Sequence, residues 1–257
     1  MATGSGLAQR LAMGRVALFG WLSLPGRFHA AIMAKGPNDG VLVDLQHGLM
    51  DYSQTLEMIA AIHAAGKPAI ARVPVGDVGL LGRLADAGAD GLIMPMVESA
   101  EQARAAVAQV KYPPVGQRSW GPYLALQESG MGAGDYLKHA NESVRFFPMI
   151  ETRRGHAALD EILAVPGVDG IFVGPADLSI SISNGAAADV FAPEPFKAAS
   201  DIAARCKARG VPCGIYAGSP EDALKLAAAG FSFITLGIDV GMYADGIAQS
   251  FTRARGN

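Results

Sequence analysis

Two acidic side chains stand where an apolar run of the sequence ends. Glu151 directly follows the run 144–150, and Asp177 lies in the turn 174–179 after the run 168–173. Short apolar runs bounded by glycine and proline predict buried strands, and residues just beyond the carboxyl ends of parallel strands line the active sites of α/β barrels. Two hard oxygen ligands there favour a divalent cation (Mg²⁺, Mn²⁺ or Co²⁺) and carbonyl chemistry. The structural alternative makes Glu151 a charge before a helix and Asp177 an N-cap.

Two more strand ends carry reactive side chains. His47 is the one histidine at the end of an apolar run, where its pKa near neutrality suits proton transfer, and Asp44 precedes it by three residues. Arg72 offers a planar cationic fork for a carboxylate or an enolate oxygen. Alternatively, His47 bonds only a backbone group, and Arg72 pairs with Asp44 or Glu151. Because only the carboxyl rim of a barrel brings such positions together, the coincidence of four strand ends carries more weight than any one residue.

Asp86 lies late in a predicted helix, in the stretch Leu84-Ala-Asp-Ala-Gly88. A negative charge there is unfavourable to the helix dipole. The position therefore indicates either a specific partner for Asp86 or a solvated helix face.

The elements that must position these residues alternate along the chain. Helix starts between the apolar runs are marked, for example, by Ser219 followed by Pro220. Eight β-then-α units predict a (β/α)8 TIM barrel that forms a single domain over residues 1–257. A doubly wound open sheet is the rival, but no GxGxxG turn follows the first strand. The eight apolar runs are Val16–Leu22, Gly40–Leu45, Ala69–Val73, Gly91–Pro95, Val144–Ile150, Gly170–Val173, Pro212–Tyr216 and Phe231–Leu236.

Composition excludes several classes of function. Half of the 257 residues are hydrophobic, and the net charge of -3 provides no broad basic field for nucleic acid. We expect neither a signal peptide nor a membrane span. Cys206 and Cys213 lack a metal-binding spacing, so core thiols in a reducing cytoplasm are favoured over a disulfide.

The stretch from Tyr112 to His139 is longer than a simple connection and is rich in glycine around Met131. Long connections in compact domains are usually functional or mobile. We expect this one to reach the mouth of the active site or a neighbouring subunit.

Several motifs together resemble the HpcH/HpaI aldolase family, the metal-dependent (class II) pyruvate aldolases that include 2,4-dihydroxyhept-2-ene-1,7-dioate aldolase. The resemblance extends over nearly the whole chain in the right order. The matching stretches are Asp44-Leu-Gln-His-Gly48, Ala71-Arg-Val-Pro74, Gly91-Leu-Ile-Met-Pro-Met-Val97, Tyr112-Pro-Pro-Val-Gly-Gln-Arg118, Ile150-Glu-Thr-Arg153, Gly174-Pro-Ala-Asp-Leu-Ser179 and Leu236-Gly-Ile-Asp239.

The resemblance implies a role for each candidate residue. Glu151 and Asp177 correspond to metal ligands, and Arg72 to the residue that stabilises the developing enolate. His47, with Asp44, belongs to the proton-transfer apparatus. The resemblance further implies that Asp86 assists this histidine from an adjacent subunit, and that the donor acid is bound at Gly174, Pro175, Ala176, Asp177 and Leu236.

The resemblance also implies partners and assembly. The substrates are a 2-oxo acid of the pyruvate or hydroxypyruvate type and an aldehyde. The assembly is a hexamer built as a trimer of dimers that exchange their last helix, here 240–253. One position departs from the family pattern: Met149 stands where related aldolases often carry a glutamine that helps bind the oxo acid.

Other functions stay open on the sequence. None of the eight apolar runs contains a lysine, which disfavours Schiff-base aldolases of similar fold. An acyl-CoA lyase of the citrate lyase beta-subunit type shares the barrel, but there is no basic cluster for a CoA diphosphate. A non-catalytic barrel that binds a phosphoryl ligand at Gly214 and Gly237 is the third possibility.

Overall fold

Eight parallel strands form a closed barrel in the computed structural model, which describes residues 6–256. The barrel closes because β1 pairs with β8 as well as with β2. The prediction of a (β/α)8 barrel is confirmed, and each strand lies within two residues of its predicted run at either end. The strands are β1 (Ala17–Leu22), β2 (Gly40–Asp44), β3 (Ala69–Arg72), β4 (Gly91–Met94), β5 (Arg145–Ile150), β6 (Ile171–Val173), β7 (Cys213–Ala217) and β8 (Phe233–Leu236).

The helices return the chain from the carboxyl end of one strand to the start of the next. Their predicted start signals are used: the Ser219 hydroxyl accepts a hydrogen bond from the Asp222 amide at 3.1 Å, and Pro220 begins the helix. In residues 6–256 the helices are α1 (Leu7–Leu11), α2 (Arg27–Ala34), α3 (Tyr52–Ala64), α4 (Val78–Asp86), α5 (Ala100–Val110), α6 (Tyr123–Ser129), α7 (Ala133–Ser143), α8 (Arg153–Ala157), α9 (Leu159–Leu163), α10 (Pro175–Ile182), α11 (Pro193–Ala208), α12 (Pro220–Ala228) and α13 (Asp239–Ala254).

Aromatic rings fill the inside of the barrel. The ring of Phe233 lies 5.9 Å from that of Phe19, 5.3 Å from that of Phe147 and 5.8 Å from that of Phe172, measured between centroids. Each fully buried ring contributes roughly 1.5–3 kcal/mol to folding. Because this layer closes the barrel, polar side chains that point inward can meet a substrate only above it, at the carboxyl rim of the strands.

The stretch from Tyr112 to His139 folds into α6 and the start of α7 and does not reach the mouth of this barrel. Its aromatic side chains pack together, with centroid distances of 5.5 Å between Tyr112 and Trp120 and 6.1 Å between Trp120 and Tyr136. The stretch contacts the end of α4, which is the end far from the carboxyl rim. The prediction that this stretch reaches the mouth of the active site is therefore wrong. Its contact with a neighbouring subunit stays a prediction.

Both cysteines are buried free thiols, as predicted. Over residues 6–256, every helix is too short or too polar to cross a bilayer. The cytoplasmic location stays a prediction.

Candidate active site

A buried ion pair occupies the rim where β2 and β3 end. Arg72 donates from Nε to Asp44 Oδ1 at 2.8 Å and from Nη2 to Asp44 Oδ2 at 2.7 Å. The two residues are paired in the parallel register of β2 and β3, and Asp44 and Arg72 are only 2% and 6% exposed. Within residues 6–256 the third guanidinium nitrogen, Nη1, meets only the Met149 sulfur at 3.9 Å, which is a weak acceptor. The predicted pairing of Arg72 with Asp44 is present, and one charged donor is left over for a ligand oxygen.

Asp44 also fixes the turn that carries His47. Its Oδ1 accepts hydrogen bonds from the amides of Gln46 at 3.0 Å and His47 at 3.4 Å. The turn is tight, because a Cβ at Gly48 would overlap the Asp44 carbonyl oxygen. The His47 side chain is exposed and has no hydrogen-bond partner within residues 6–256, so the alternative that it bonds a backbone group is wrong.

Glu151 is a buried carboxylate with one oxygen to spare. It is 2% exposed, and its Oε1 accepts a hydrogen bond from the Met96 amide at 2.7 Å. Burial raises its pKa and the Met96 amide lowers it. The negative charge of Asp177 raises the pKa of Glu151, and the positive charge of Arg72 lowers it. Together these effects raise the pKa of Glu151 from 4.5 to about 7. Among residues 6–256 no donor reaches Oε2, and Gly174 must lack a Cβ because that atom would overlap Oε2.

Asp177 lies in the first turn of α10 and is exposed. Gly174 is the N-cap of this helix, so the interpretation of Asp177 as an N-cap is wrong. The Gly174 amide donates to the Ile150 carbonyl at 3.2 Å and is not available to a substrate. This corrects part of the predicted anion site. The amides of Ala176 and Asp177, at a helix start where amides lack intrahelical partners, are the available donors, and Pro175 has none.

The two remaining predicted residues lie away from this rim. Asp86 accepts two hydrogen bonds from Arg118, at 3.1 Å from Nε and 2.5 Å from Nη2, at the far end of α4. The specific partner that its position indicated therefore exists. Leu236 turns its side chain outward, into a cleft of about 460 Å³ that it lines together with Leu18 and Met242. As residues 6–256 are arranged in one chain, neither side chain meets Glu151.

Three contributors to the site were missed on the sequence. Trp21 donates to Asp44 Oδ2 at 3.3 Å, and Arg72 stacks with its Cζ 4.6 Å from the centroid of the same ring. The half-buried ring of Tyr216 meets Trp21 at 5.4 Å. The alternation of side chains along a strand could have indicated Trp21. It lies two residues after Phe19 on β1, so both side chains point into the barrel. The third, Met96, has a φ of 56°, rare for a residue other than glycine, and no sequence pattern indicated it.

The rim carboxylates fit a divalent metal ion by their chemistry. In the described part of the chain no group of three or more His, Cys, Asp and Glu is arranged around one point, so the protein offers Glu151 and Asp177. Both are hard oxygen donors, and the charge of Asp177 raises the pKa of Glu151, which a cation bound between the two carboxylates would offset. The remaining coordination positions would belong to water and substrate oxygens.

A cationic donor and two carboxylates thus lie at one rim of the barrel. The fold defines a class, the (β/α)8 barrels, whose active sites lie at the carboxyl ends of the strands. Comparison with known proteins gives the family. The sequence matches the HpcH/HpaI aldolase/citrate lyase family over residues 19–246, and the chain belongs to this family.

Several relatives that match this chain over most of its length are named aldolases. The hydroxypyruvate/pyruvate aldolase of Rhizorhabdus wittichii is 38% identical over 242 residues, which is 94% of this chain and 95% of that protein. The 2-dehydro-3,6-dideoxy-6-sulfogluconate aldolase of Pseudomonas putida is 38% identical over 225 residues, 86% of each chain. A solved HpcH/HpaI aldolase/citrate lyase family protein from Burkholderia cenocepacia superposes with a TM-score of 0.88 at 33% identity, covering 98% of this chain and 99% of that one. These relatives support an aldolase, that is, a carbon–carbon lyase.

Proposed function

We propose that this protein is a divalent-metal-dependent 2-oxo acid aldolase. It forms or cleaves the aldol bond between the enolate of a pyruvate- or hydroxypyruvate-type acid and an aldehyde. The observation that carries the proposal is how Arg72 uses its donors. Asp44 accepts from two of its nitrogens, and Nη1 meets no strong acceptor in the described part of the chain. A fixed cationic donor of this kind suits an oxygen on which negative charge develops. The relative from Rhizorhabdus wittichii, named a hydroxypyruvate/pyruvate aldolase, supports the choice of donor acid.

Glu151 and Asp177 would hold the metal ion, with Mg²⁺, Mn²⁺ and Co²⁺ as candidates. When bound, the ion supplies Lewis-acid polarisation of the oxo acid. The amides of Ala176 and Asp177 bind the carboxylate of the oxo acid at the start of α10, where the helix dipole favours an anion.

In the cleavage direction, a proton leaves the hydroxyl group at C4 and the C3–C4 bond breaks. The aldehyde departs, and the electron pair of the broken bond moves toward the oxygen at C2. Arg72 Nη1 donates to that oxygen as its charge grows. His47 takes the hydroxyl proton and returns a proton to C3, and Asp44 holds both Arg72 and the turn of His47 in place.

The test is exchange of the pyruvate methyl protons for deuterium, followed by NMR, because it needs no knowledge of the aldehyde. The enzyme is first chelated, and Mg²⁺, Mn²⁺ or Co²⁺ is then restored. We expect exchange only with metal, and its loss in Glu151→Gln and Asp177→Asn with an unchanged circular dichroism spectrum. Glu194→Gln, which alters an exposed first-turn carboxylate of α11, is the control. Exchange by the chelated enzyme, or its survival in both variants, would contradict the metal role.

A phosphoryl-binding barrel is less well supported. Gly214 lies within β7, and the ring of Phe233 packs against its α carbon so closely that a Cβ would overlap it. The barrel interior beside Gly214 is therefore filled by an aromatic ring. An acyl-CoA lyase remains the alternative within the same family, and activity on an acyl-CoA without pyruvate exchange would select it.

The surface of the last helix supports a homo-oligomer, and we include a hexamer of exchanged dimers in the proposal. Asp239 is the only buried residue of α13. Tyr243, Ile247 and Phe251 follow one another at four-residue spacing and are 65%, 44% and 60% exposed. A stripe of this size is costly in water and suits a second copy of the chain.

A further inference from the structure

One buried carboxylate that the proposed mechanism does not use has both of its oxygens engaged in hydrogen bonds. Asp239 begins α13, is 2% exposed, and accepts hydrogen bonds at Oδ1 from the Ser23 amide at 3.0 Å and the Ser23 hydroxyl at 2.7 Å. Its Oδ2 accepts from the Leu24 amide at 2.9 Å and lies 2.8 Å from His29 Nε2. Burial raises the pKa of Asp239, but the hydrogen bonds from these donors lower it by more, so its pKa lies below the usual value. The carboxylate is therefore ionised and acts only as an acceptor. Such an arrangement fixes the backbone of residues 23 and 24.

The fixed backbone leads directly to the turn that carries His47. Ser23 follows the carboxyl end of β1, and its carbonyl oxygen accepts a hydrogen bond from the Leu49 amide at 2.8 Å. On its other side the turn is held by Asp44, which accepts from the His47 amide at 3.4 Å. Hydrogen bonds therefore hold the turn at two points. Asp44 holds the amide of His47, and Ser23 holds the amide of Leu49.

This backbone fastening matters because nothing holds the His47 side chain itself. The imidazole has no hydrogen-bond partner within residues 6–256. Its place at the rim therefore follows from the backbone alone, and a displacement of about 1 Å can lower a rate by roughly 10²-fold.

We propose that Asp239 is a positioning residue for proton transfer by His47, acting through the carbonyl of Ser23 and the amide of Leu49. The proposal rests on the proposed function, in which His47 moves the proton. A merely structural Asp239 would hold α13 without affecting the rim.

A double-mutant cycle separates the two roles. Pyruvate proton exchange is measured in the wild type, Asp239→Asn, His47→Ala and the double variant, all with metal restored. We expect Asp239→Asn to lower the rate roughly 10- to 100-fold in the wild type and to have no further effect when His47 is already replaced. Equal losses in both backgrounds, or no loss at all, would overturn the proposal.

The matched control is Asp39→Asn. Asp39 is also buried, at 6% exposure, and also holds the backbone of β1, by accepting from the Leu18 amide at 2.9 Å at the opposite end of the barrel. We expect this variant to retain the wild-type exchange rate. If Asp239→Asn does not fold, Ser23→Ala removes only the hydroxyl donor and is expected to give a smaller loss that again depends on His47.

Hydrogen exchange of backbone amides gives a readout that does not depend on activity. In Asp239→Asn we expect faster exchange at Leu49 and unchanged exchange at Gln46, which Asp44 holds independently. Unchanged protection at Leu49 would refute the link. A wild-type protein that exchanges no pyruvate protons would end the proposed function and the catalytic part of this inference, while the Leu49 result would still decide the structural part.

Discussion

At the scale of single residues, Arg72 determines what the rim can do. Its bidentate pair with Asp44 and its stacking on Trp21 leave the guanidinium one orientation. Met149 lies two residues before Glu151 and presents a sulfur to Nη1. Because a thioether is a weak acceptor, the donor stays free for a ligand oxygen.

Arg72→Lys should lower the rate of pyruvate proton exchange by about 10²–10³-fold, the usual cost of losing one donor to a developing oxyanion. The single ammonium group of lysine pairs with Asp44 and leaves no second donor. Steady-state kinetics would give the rate, and titration calorimetry with Mn²⁺ should give an unchanged dissociation constant.

Arg15→Lys is the control for this change. Arg15 also donates from two nitrogens, Nη1 and Nη2, to one carboxylate, that of Asp39 at the opposite end of the barrel. A comparable loss of rate in Arg15→Lys, or a normal rate in Arg72→Lys, would remove Arg72 from the mechanism.

At the scale of elements, a histidine clamp joins three segments on the side of the barrel away from the rim. His63 of α3 lies 2.6 Å by Nδ1 from Glu128 Oε2 of α6 and 2.8 Å by Nε2 from Asp90 Oδ2, just before β4. Burial lowers the pKa of His63, but its hydrogen bonds to the Asp90 and Glu128 carboxylates, together with their negative charges, raise it more, to about 10. His63 is therefore protonated at neutral pH, while burial raises the pKa of its partner Asp90.

His63→Gln should destabilise the protein by roughly 1.5–3 kcal/mol at pH 6, since the hydrogen bonds involve charged groups. A raised folded-state pKa contributes stability that is fully present below the unfolded value of 6.5 and is lost as the pH rises through about 10. The difference from the wild type should thus shrink by pH 10, as measured by urea denaturation.

His139→Gln serves as the control for the clamp, because that exposed side chain bonds only the Asp135 carbonyl oxygen. It should change the unfolding free energy little at either pH. An equal loss for His63→Gln at pH 6 and pH 10 would contradict the charged clamp.

At the scale of the whole molecule, the apolar surfaces of α2 and α13 remain uncovered in one chain. Phe28 and Ile32 on α2 are 80% and 73% exposed, near the cleft that α2 and α13 line. Phe251→Glu should therefore shift the protein to a smaller species in light scattering coupled to size exclusion, because a buried carboxylate without a partner is costly.

Glu221→Gln, an exposed change on α12, should leave the mass unchanged. A wild-type protein that is monomeric at all concentrations tested would refute the proposed oligomer.

The sequence by itself determined the barrel, because eight apolar runs with helices between them have few other ways to bury both faces of a parallel sheet. It also placed Asp44, Arg72 and Glu151 at one rim, because the carboxyl ends of parallel strands share one edge of the sheet. These inferences depend on alternation and on local signals that neighbouring residues carry.

Only the tertiary structure decided how these groups act together. The free Nη1 of Arg72, the Met96 amide on Glu151 and the connection of Asp239 to Ser23 join residues distant in the chain. Burial and hydrogen bonds of this kind depend on which side chains meet after folding. A single sequence carries no local pattern for such contacts, whereas strand alternation repeats every two residues and is therefore readable.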